Sequence, residues 1–179
     1  MRYEIRLSGS GGQGMILAGL ILAEAAAIYE NKNATQSQSY GPEARGGASK
    51  SEVIISDEDI DYPKATNIDL LLALTQESCS KYAVDLKENG ILIIDADHVK
   101  QLPKGNFRVF SLPILSAAQD KVGKQIVANI VALGALVEIS KVVTSESIEA
   151  AVLSRVPRGT EELNRKALTV GVEIARAAL

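Results

Sequence analysis

Short apolar runs that recur between stretches of helical spacing constrain this chain more than any other feature. "IDLLLALT" (residues 68–75) and "GILIIDAD" (residues 90–97) are continuous apolar segments bounded by polar residues or glycine, the pattern of strands covered on both faces. "SEVIIS" (residues 51–56) and "FRVFSLPI" (residues 107–114) read as two more strands, and residues 2–7, where apolar and charged residues alternate, as a first one. Helical spacing fills residues 15–29, then "ESCSKYAVDLKENG" up to the stop pair Asn89-Gly90, then residues 116–140. In the last segment Thr160 is placed to cap a helix, Glu161 and Glu162 fit its first turn, and Leu163, Ala167, Val170, Ile174 and Ala177 make one stripe. The alternation predicts an α/β chain: one three-layer α/β/α, Rossmann-like domain over residues 1–179 with a mostly parallel sheet.

The first strand runs into "GSGGQGM" (residues 9–15) and then an apolar helix. Gly9, Gly11 and Gly14 satisfy G-x-G-x-x-G in the strand-to-helix setting where backbone N–H groups face an anion. A dinucleotide loop also needs an acidic side chain at the end of the second strand, roughly 20 residues on, to hold ribose hydroxyls. The sequence there is "NATQSQSY", which has no carboxylate. The spacing from Gly9 to Gly14 fits a P-loop too, but Met15 and Ile16 stand where that cradle has lysine and a hydroxyl. What remains is a tight turn of Gly9, Ser10, Gly11, Gly12, Gln13 and Gly14 whose backbone accepts an anion, lies against another chain, or serves only the turn and helix-sheet packing. Gln13 suggests a directed hydrogen bond reaching outward, to a ligand, a neighbouring loop or another subunit.

Composition narrows the partners. A net charge of -3 offers no basic surplus for nucleic acid, and 4% aromatics with no tryptophan leave few rings for stacking bases or for a membrane belt. The first residues lack the apolar core of a signal peptide, and the apolar run at residues 15–23 is too short to span a bilayer, so the expected location is the cytoplasm. One cysteine, Cys79, and one histidine, His98, exclude an internal disulfide and any multi-cysteine metal site held by this chain alone. Cys79 reads as a packed or surface thiol rather than a nucleophile.

A second glycine-rich stretch, "SQSYGPEARGGASKSEV" (residues 37–53), carries Tyr40, Glu43, Arg45, Gly46, Gly47 and Lys50, and is expected to be a functional loop of about 15 residues without secondary structure. "GSGGQG" and "YGPEARGG", in this order and at this separation, resemble the γ subunit, or fused γ domain, of the 2-oxoacid:ferredoxin oxidoreductases. The resemblance continues through "DLLLAL", "GILIID", "ANIVALGAL" around Asn129 and Gly134, and "ELNRKALTVG" around Asn164 and Gly171. Asn129 stands in an otherwise apolar helix, where an unpaired amide costs about 1–3 kcal/mol, so it needs a partner inside the chain or on another subunit.

The resemblance implies an enzyme that converts a 2-oxoacid, coenzyme A and oxidised ferredoxin to acyl-CoA, CO2 and reduced ferredoxin. Thiamine diphosphate with Mg2+ and iron-sulfur clusters would do the carbanion and electron chemistry. This chain has neither a Gly-Asp-Gly motif nor a cysteine cluster. It is therefore expected to be inactive alone, with those cofactors on α, β and possible δ partner subunits, and with a homodimer as a substitute assembly when isolated. The full "YGPEARGG" form looks more like the 2-oxoglutarate type than the pyruvate type. The resemblance connects the γ domain with coenzyme A, whose phosphates Arg45 and Lys50 would meet; the alternative is that both are interface or surface charges. Two other readings stay open at this point: a free-standing NAD(P)- or flavin-binding protein, and a structural or regulatory protein that inherits the fold.

Overall fold

A computed structural model describes residues 1–40 and 47–179, with Tyr40 described by its backbone. Six strands form one sheet in the order β2-β3-β1-β4-β5-β6: β1 (Arg2–Ser10), β2 (Asn33–Tyr40), β3 (Ala48–Ser56), β4 (Ile68–Ala73), β5 (Leu86–Asp95) and β6 (Arg108–Leu112). The pairings β1–β4, β4–β5 and β5–β6 are parallel, and β3 pairs antiparallel with β1 and β2. The mostly parallel α/β architecture expected from the apolar runs is therefore present, with β3 as the one strand that opposes the rest.

Helices α1 (Met15–Tyr29), α4 (Ala128–Ser140), α5 (Ser145–Arg155) and α6 (Glu161–Arg176) cover one face, and α2 (Gln76–Tyr82) the other. The chain leaves β1 through α1 towards β2 and leaves β4 through α2 towards β5, so the connections diverge between β1 and β4. That divergence, at the carboxyl ends of parallel strands, is where open α/β sheets form ligand crevices. Helix α4 is buried on nearly all sides, as a helix apolar but for Asn129, Glu138 and Ser140 must be. Its tightest contact is with α6: a Cβ at Gly171 would stand 2.1 Å from the Val131 carbonyl, and one at Gly134 would stand 2.4 Å from the Leu168 carbonyl. These two glycines let the helix backbones touch.

Four expectations are corrected. Residues 33–40, a polar stretch whose second half fell in the segment expected to lack secondary structure, form β2, in unbroken register with β3 from Asn33 opposite Ser56 to Tyr40 opposite Ser49. Of the stretch expected to lack secondary structure, residues 37–40 and 48–53 are strand; Gly41, Pro42, Glu43, Ala44, Arg45 and Gly46 lie outside the described residues. An edge strand needs ladder hydrogen bonds from one neighbour and little apolar area, so it leaves no hydrophobic signal. Second, α2 ends at Tyr82, and Asn89-Gly90 is a kink inside β5, where Asn89 has φ 64° and the register with β4 shifts. The left-handed φ that ends a helix also makes a bulge.

Third, the helical stretch at residues 116–140 breaks at Gly123, φ 99°. A single turn, α3 (Ile114–Ala117), and a widened turn over Ala118–Val122 precede the break. Fourth, Thr160 does not cap α6 with its side chain: its hydroxyl donates to the Pro157 carbonyl at 2.6 Å and accepts from Asn164 Nδ2 at 3.2 Å. The buried face of α6 takes in Leu168, Gly171 and Ala175 beside Ala167, Val170 and Ile174, while Ala177 is exposed. Helix α5 has no counterpart in the reading of the sequence, although Thr144 accepts the Ser147 N–H at its start in the usual capping manner.

Candidate functional site

The glycine-rich turn sits at the carboxyl end of β1, beside the point where the connections diverge. Gly9 and Ser10 are the last residues of the strand, opposite Ser49 and Ala48 of β3. The turn is closed by Gln13. Its Oε1 accepts the Ser10 N–H at 2.7 Å, and its own N–H donates to the Ser10 carbonyl at 3.3 Å. Gln13 thus folds back on the loop rather than reaching outward, and only glycine at position 9 leaves room for its amide, because a Cβ there would stand 2.3 Å from Oε1.

Two further glycines carry left-handed backbone. Gly12 has φ 87° with open space beside it, and Gly14 has φ 78° with Asn129 packed directly against it. Asn129 Nδ2 lies 3.4 Å from the Gly14 carbonyl, and its Oδ1 accepts the Ile130 N–H at 3.0 Å. The partner that Asn129 requires is internal. Gly14 is the N-cap of α1 and brings no side-chain oxygen, and the first turn has no acidic residue. Among the described residues the leading N–H groups of α1, which have no partner within the helix, therefore meet no capping side chain.

The two glycine stretches meet. Gly11 donates its N–H to the Gly47 carbonyl at 3.3 Å, so the start of β3 is tied to the turn after β1. Beside them a cleft of 260 Å³ is lined by Gly12, Gln13, Leu115, Gln125, Ile126 and Ala128. Ile126 is 82% exposed at its mouth.

Lys50 is not gathered into this turn. It shares a sheet face with Ala48 and Ile54, opposite α1, where its Nζ lies 3.5 Å from Glu52 and 5.5 Å from the centre of the Tyr82 ring. Tyr40 ends β2 with its backbone opposite Ser49. Arg45 and Gly46 lie outside the described residues.

Two polar groupings escape the sequence reading. Arg6, 3% exposed, is clamped by Glu52 (Nε to Oε2, 2.7 Å), by the Tyr82 carbonyl (3.0 Å) and by both oxygens of Asp85. Burial alone would lower its pKa, and the two carboxylates outweigh that and raise it. Asp95, fully buried at the end of β5, accepts the Leu115 N–H at 2.9 Å and meets His98 Nδ1 at 2.6 Å. It fixes α3 against the sheet beside the cleft. The alternation in residues 2–7 and the carboxylate ending "GILIID" were the available signals. Cys79 is buried in the smaller core, and burial pushes its thiol up, so it is a packing residue. Among the described residues no group of three His, Cys, Asp or Glu side chains could hold a metal ion, and no helix is long and apolar enough to cross a membrane.

The family model for pyruvate ferredoxin/flavodoxin oxidoreductase matches residues 4–174. The chain is 52% identical to the 2-oxoglutarate synthase subunit KorC of Methanocaldococcus jannaschii over 98% of its own length and 95% of that subunit. It superimposes with a TM-score of 0.93 and 60% identity on a keto/oxoacid ferredoxin oxidoreductase γ subunit from Geobacter sulfurreducens, covering 99% and 98% of the two chains. A 2-oxoglutarate:ferredoxin oxidoreductase from Magnetococcus marinus, solved with 2-oxoglutarate, coenzyme A and succinyl-CoA bound, contains the same fold. There the TM-score is 0.86 at 21% identity, over 99% of this chain and 32% of that longer one, a likeness of fold alone.

Proposed function

Because the chain belongs to the pyruvate ferredoxin/flavodoxin oxidoreductase family, we propose that it is the γ subunit of a multi-subunit 2-oxoacid:ferredoxin oxidoreductase of the 2-oxoglutarate type, working in the cytoplasm as a single domain. The observation that carries this is the match to KorC along nearly the whole of both chains. With one cysteine in the sequence, thiamine diphosphate, Mg2+ and the iron-sulfur clusters belong on α, β and δ partners. There they would supply the carbanion-stabilising and electron-transfer chemistry that this chain's side chains cannot.

This chain's own contribution is a backbone surface. The turn from Gly9 to Gly14, braced by Gln13, Gly47 and Asn129, presents the open N-terminus of α1 beside the 260 Å³ cleft. A phosphate of coenzyme A fits such N–H groups without a ribose-binding acid. Hydrogen exchange on the assembled enzyme tests this part: coenzyme A should slow the amides of residues 11–17, and unchanged exchange there removes the coenzyme from this turn while leaving the subunit assignment intact.

The free-standing dinucleotide reading rests on Gly9, Gly11 and Gly14 alone. Antiparallel β3 stands beside β1, so the site of a ribose-binding acid is taken by the start of β3 at Ala48. Binding of NADH or FAD by the purified chain at micromolar concentration would revive that reading.

A further inference from the structure

We infer that the cavity at the amino ends of the parallel strands, where Tyr3, Arg108 and the bulge at Asn89 converge, is a binding site for a small free monocarboxylate. The inference goes beyond the subunit assignment. The cavity lies at the other end of the sheet from the glycine-rich turn, which follows the carboxyl end of β1.

The cavity exists because β5 is irregular. Ile68 of β4 stands opposite Leu86 and Leu70 opposite Ile91, so β4 advances two residues while β5 advances five. Residues 87–90 take up the difference through Asn89, whose φ is 64°, and through Gly90, where a Cβ would stand 2.8 Å from the Lys87 carbonyl. Asn106 braces this bulge: its carbonyl accepts the Asn89 N–H at 2.6 Å, and its Nδ2 donates to Asn89 Oδ1 at 2.9 Å. A left-handed residue other than glycine costs energy inside a strand, and bulges recur beside sites where a strand has to re-aim its side chains. Here the bulge opens 270 Å³ lined by Tyr3, Asp69, Arg108 and residues 87–91.

The polar groups around this space are unequally satisfied. Lys87 Nζ lies 2.7 Å from Asp69, whose other oxygen accepts the Glu4 N–H at 2.8 Å, so this pair of charges is spent. Arg108 has no carboxylate partner among the described residues. Its guanidinium rests 5.8 Å from the centre of the Phe110 ring. The Tyr3 hydroxyl also lacks a hydrogen-bond partner among the described residues, and none of their unpaired side-chain polar atoms is buried, so the hydroxyl is reachable from solvent. Arg108 and Asp69 both act on the phenol, and burial keeps its proton in place up to about 12. An O–H donor therefore stands near an unpaired guanidinium.

These groups select the occupant. A guanidinium and a phenol direct N–H and O–H donors at one oxyanion, and the planar guanidinium matches a carboxylate. Asp69 and Glu88 line the same space and oppose a second negative charge, which disfavours a phosphate dianion or a dicarboxylate. Ile91 and the Tyr3 ring, both part of the larger core's packing, offer an apolar wall to a short alkyl chain. The volume sits below the usual range for drug-sized ligands and so suits a small one. Tyr40 and Gly47, on either side of the residues not described, stand by Ser49 and Gly11 at the opposite end of β1 from Tyr3.

Titration of the 15N-labelled full chain with sodium butyrate at neutral pH, against sodium chloride at equal ionic strength, tests the inference by amide NMR. Saturable shifts should appear at residues 3, 89, 90 and 108 with a dissociation constant of about 1 mM. Arg108→Gln should raise that constant about tenfold and Tyr3→Phe about threefold, with unchanged circular dichroism. Arg158→Gln, at an exposed arginine between α5 and α6, should bind as the parent does. Inorganic phosphate and n-butylamine should each leave the four amides unmoved at the same concentrations. No saturable shift, a response equal to that of chloride, phosphate or butylamine, or an Arg108→Gln variant that binds like its parent overturns the inference.

Discussion

Asn129 of α4 lies so close to Gly14 that a Cβ on the glycine would stand 2.6 Å from the amide nitrogen. This contact ties the start of α1 to the central helix of the core and so fixes the plane of the glycine-rich turn. Gly14→Ala meets both the left-handed φ of 78° and this clash. Chemical denaturation should show a loss of about 2–4 kcal/mol. In an Asn129→Ala background the same substitution should cost less, since the two closest contacts, with the amide group, are gone and only the Cβ contact at 3.1 Å remains. Gly12→Ala, at φ 87° in open space, should cost only about 1 kcal/mol.

Gly171 sets the approach of α6 to α4. With the Val131 carbonyl 2.1 Å from the place of its Cβ, Gly171→Ala has to separate two backbones rather than shift a side chain. A loss of about 2–3 kcal/mol is expected, together with faster hydrogen exchange along both helices.

Arg6 holds two carboxylates on the sparsely covered face of the sheet. Arg6→Met leaves Glu52 and Asp85 without their shared cation and should destabilise by about 3–5 kcal/mol in urea titration. Adding Asp85→Asn should recover part of that loss, because the carboxylate that has lost its cation is neutralised, whereas Glu52 keeps Lys50 at 3.5 Å.

Tyr3 gives a pH dependence. Burial, with Asp69 nearby, pushes its phenol from 10.0 up to about 12. The folded state therefore holds the phenolic proton more tightly than the unfolded state. That contribution to stability is complete below pH 10 and is lost as pH rises through 12. Alkaline unfolding followed by circular dichroism should show this, and Tyr3→Phe should flatten the profile between those values relative to the parent chain.

Strands covered on both faces were the most legible part of the fold, because β4 and the second half of β5 are continuous apolar runs and their period needs no context. The glycine-rich turn was legible as a turn, but the aim of Gln13 was not, since an amide that closes its own loop and one that reaches a partner look alike in sequence. Strand β2 was illegible for a physical reason: an edge strand with polar side chains carries its signal in backbone pairing. Asn89-Gly90 misled because one backbone conformation serves both a helix stop and a bulge. The join between Gly11 and Gly47, and the seat of Asn129 on Gly14, are contacts between distant segments that local pattern cannot give.

The subunit assignment is tested most directly by 2-oxoglutarate- and coenzyme A-dependent dye reduction, measured on the purified chain and on the assembly that co-purifies with it from its native cells. The account predicts no reduction by the chain alone, and reduction by an assembly containing larger subunits that carry thiamine diphosphate and iron-sulfur clusters. Reduction by the isolated chain, or its recovery without any such subunits, would contradict it.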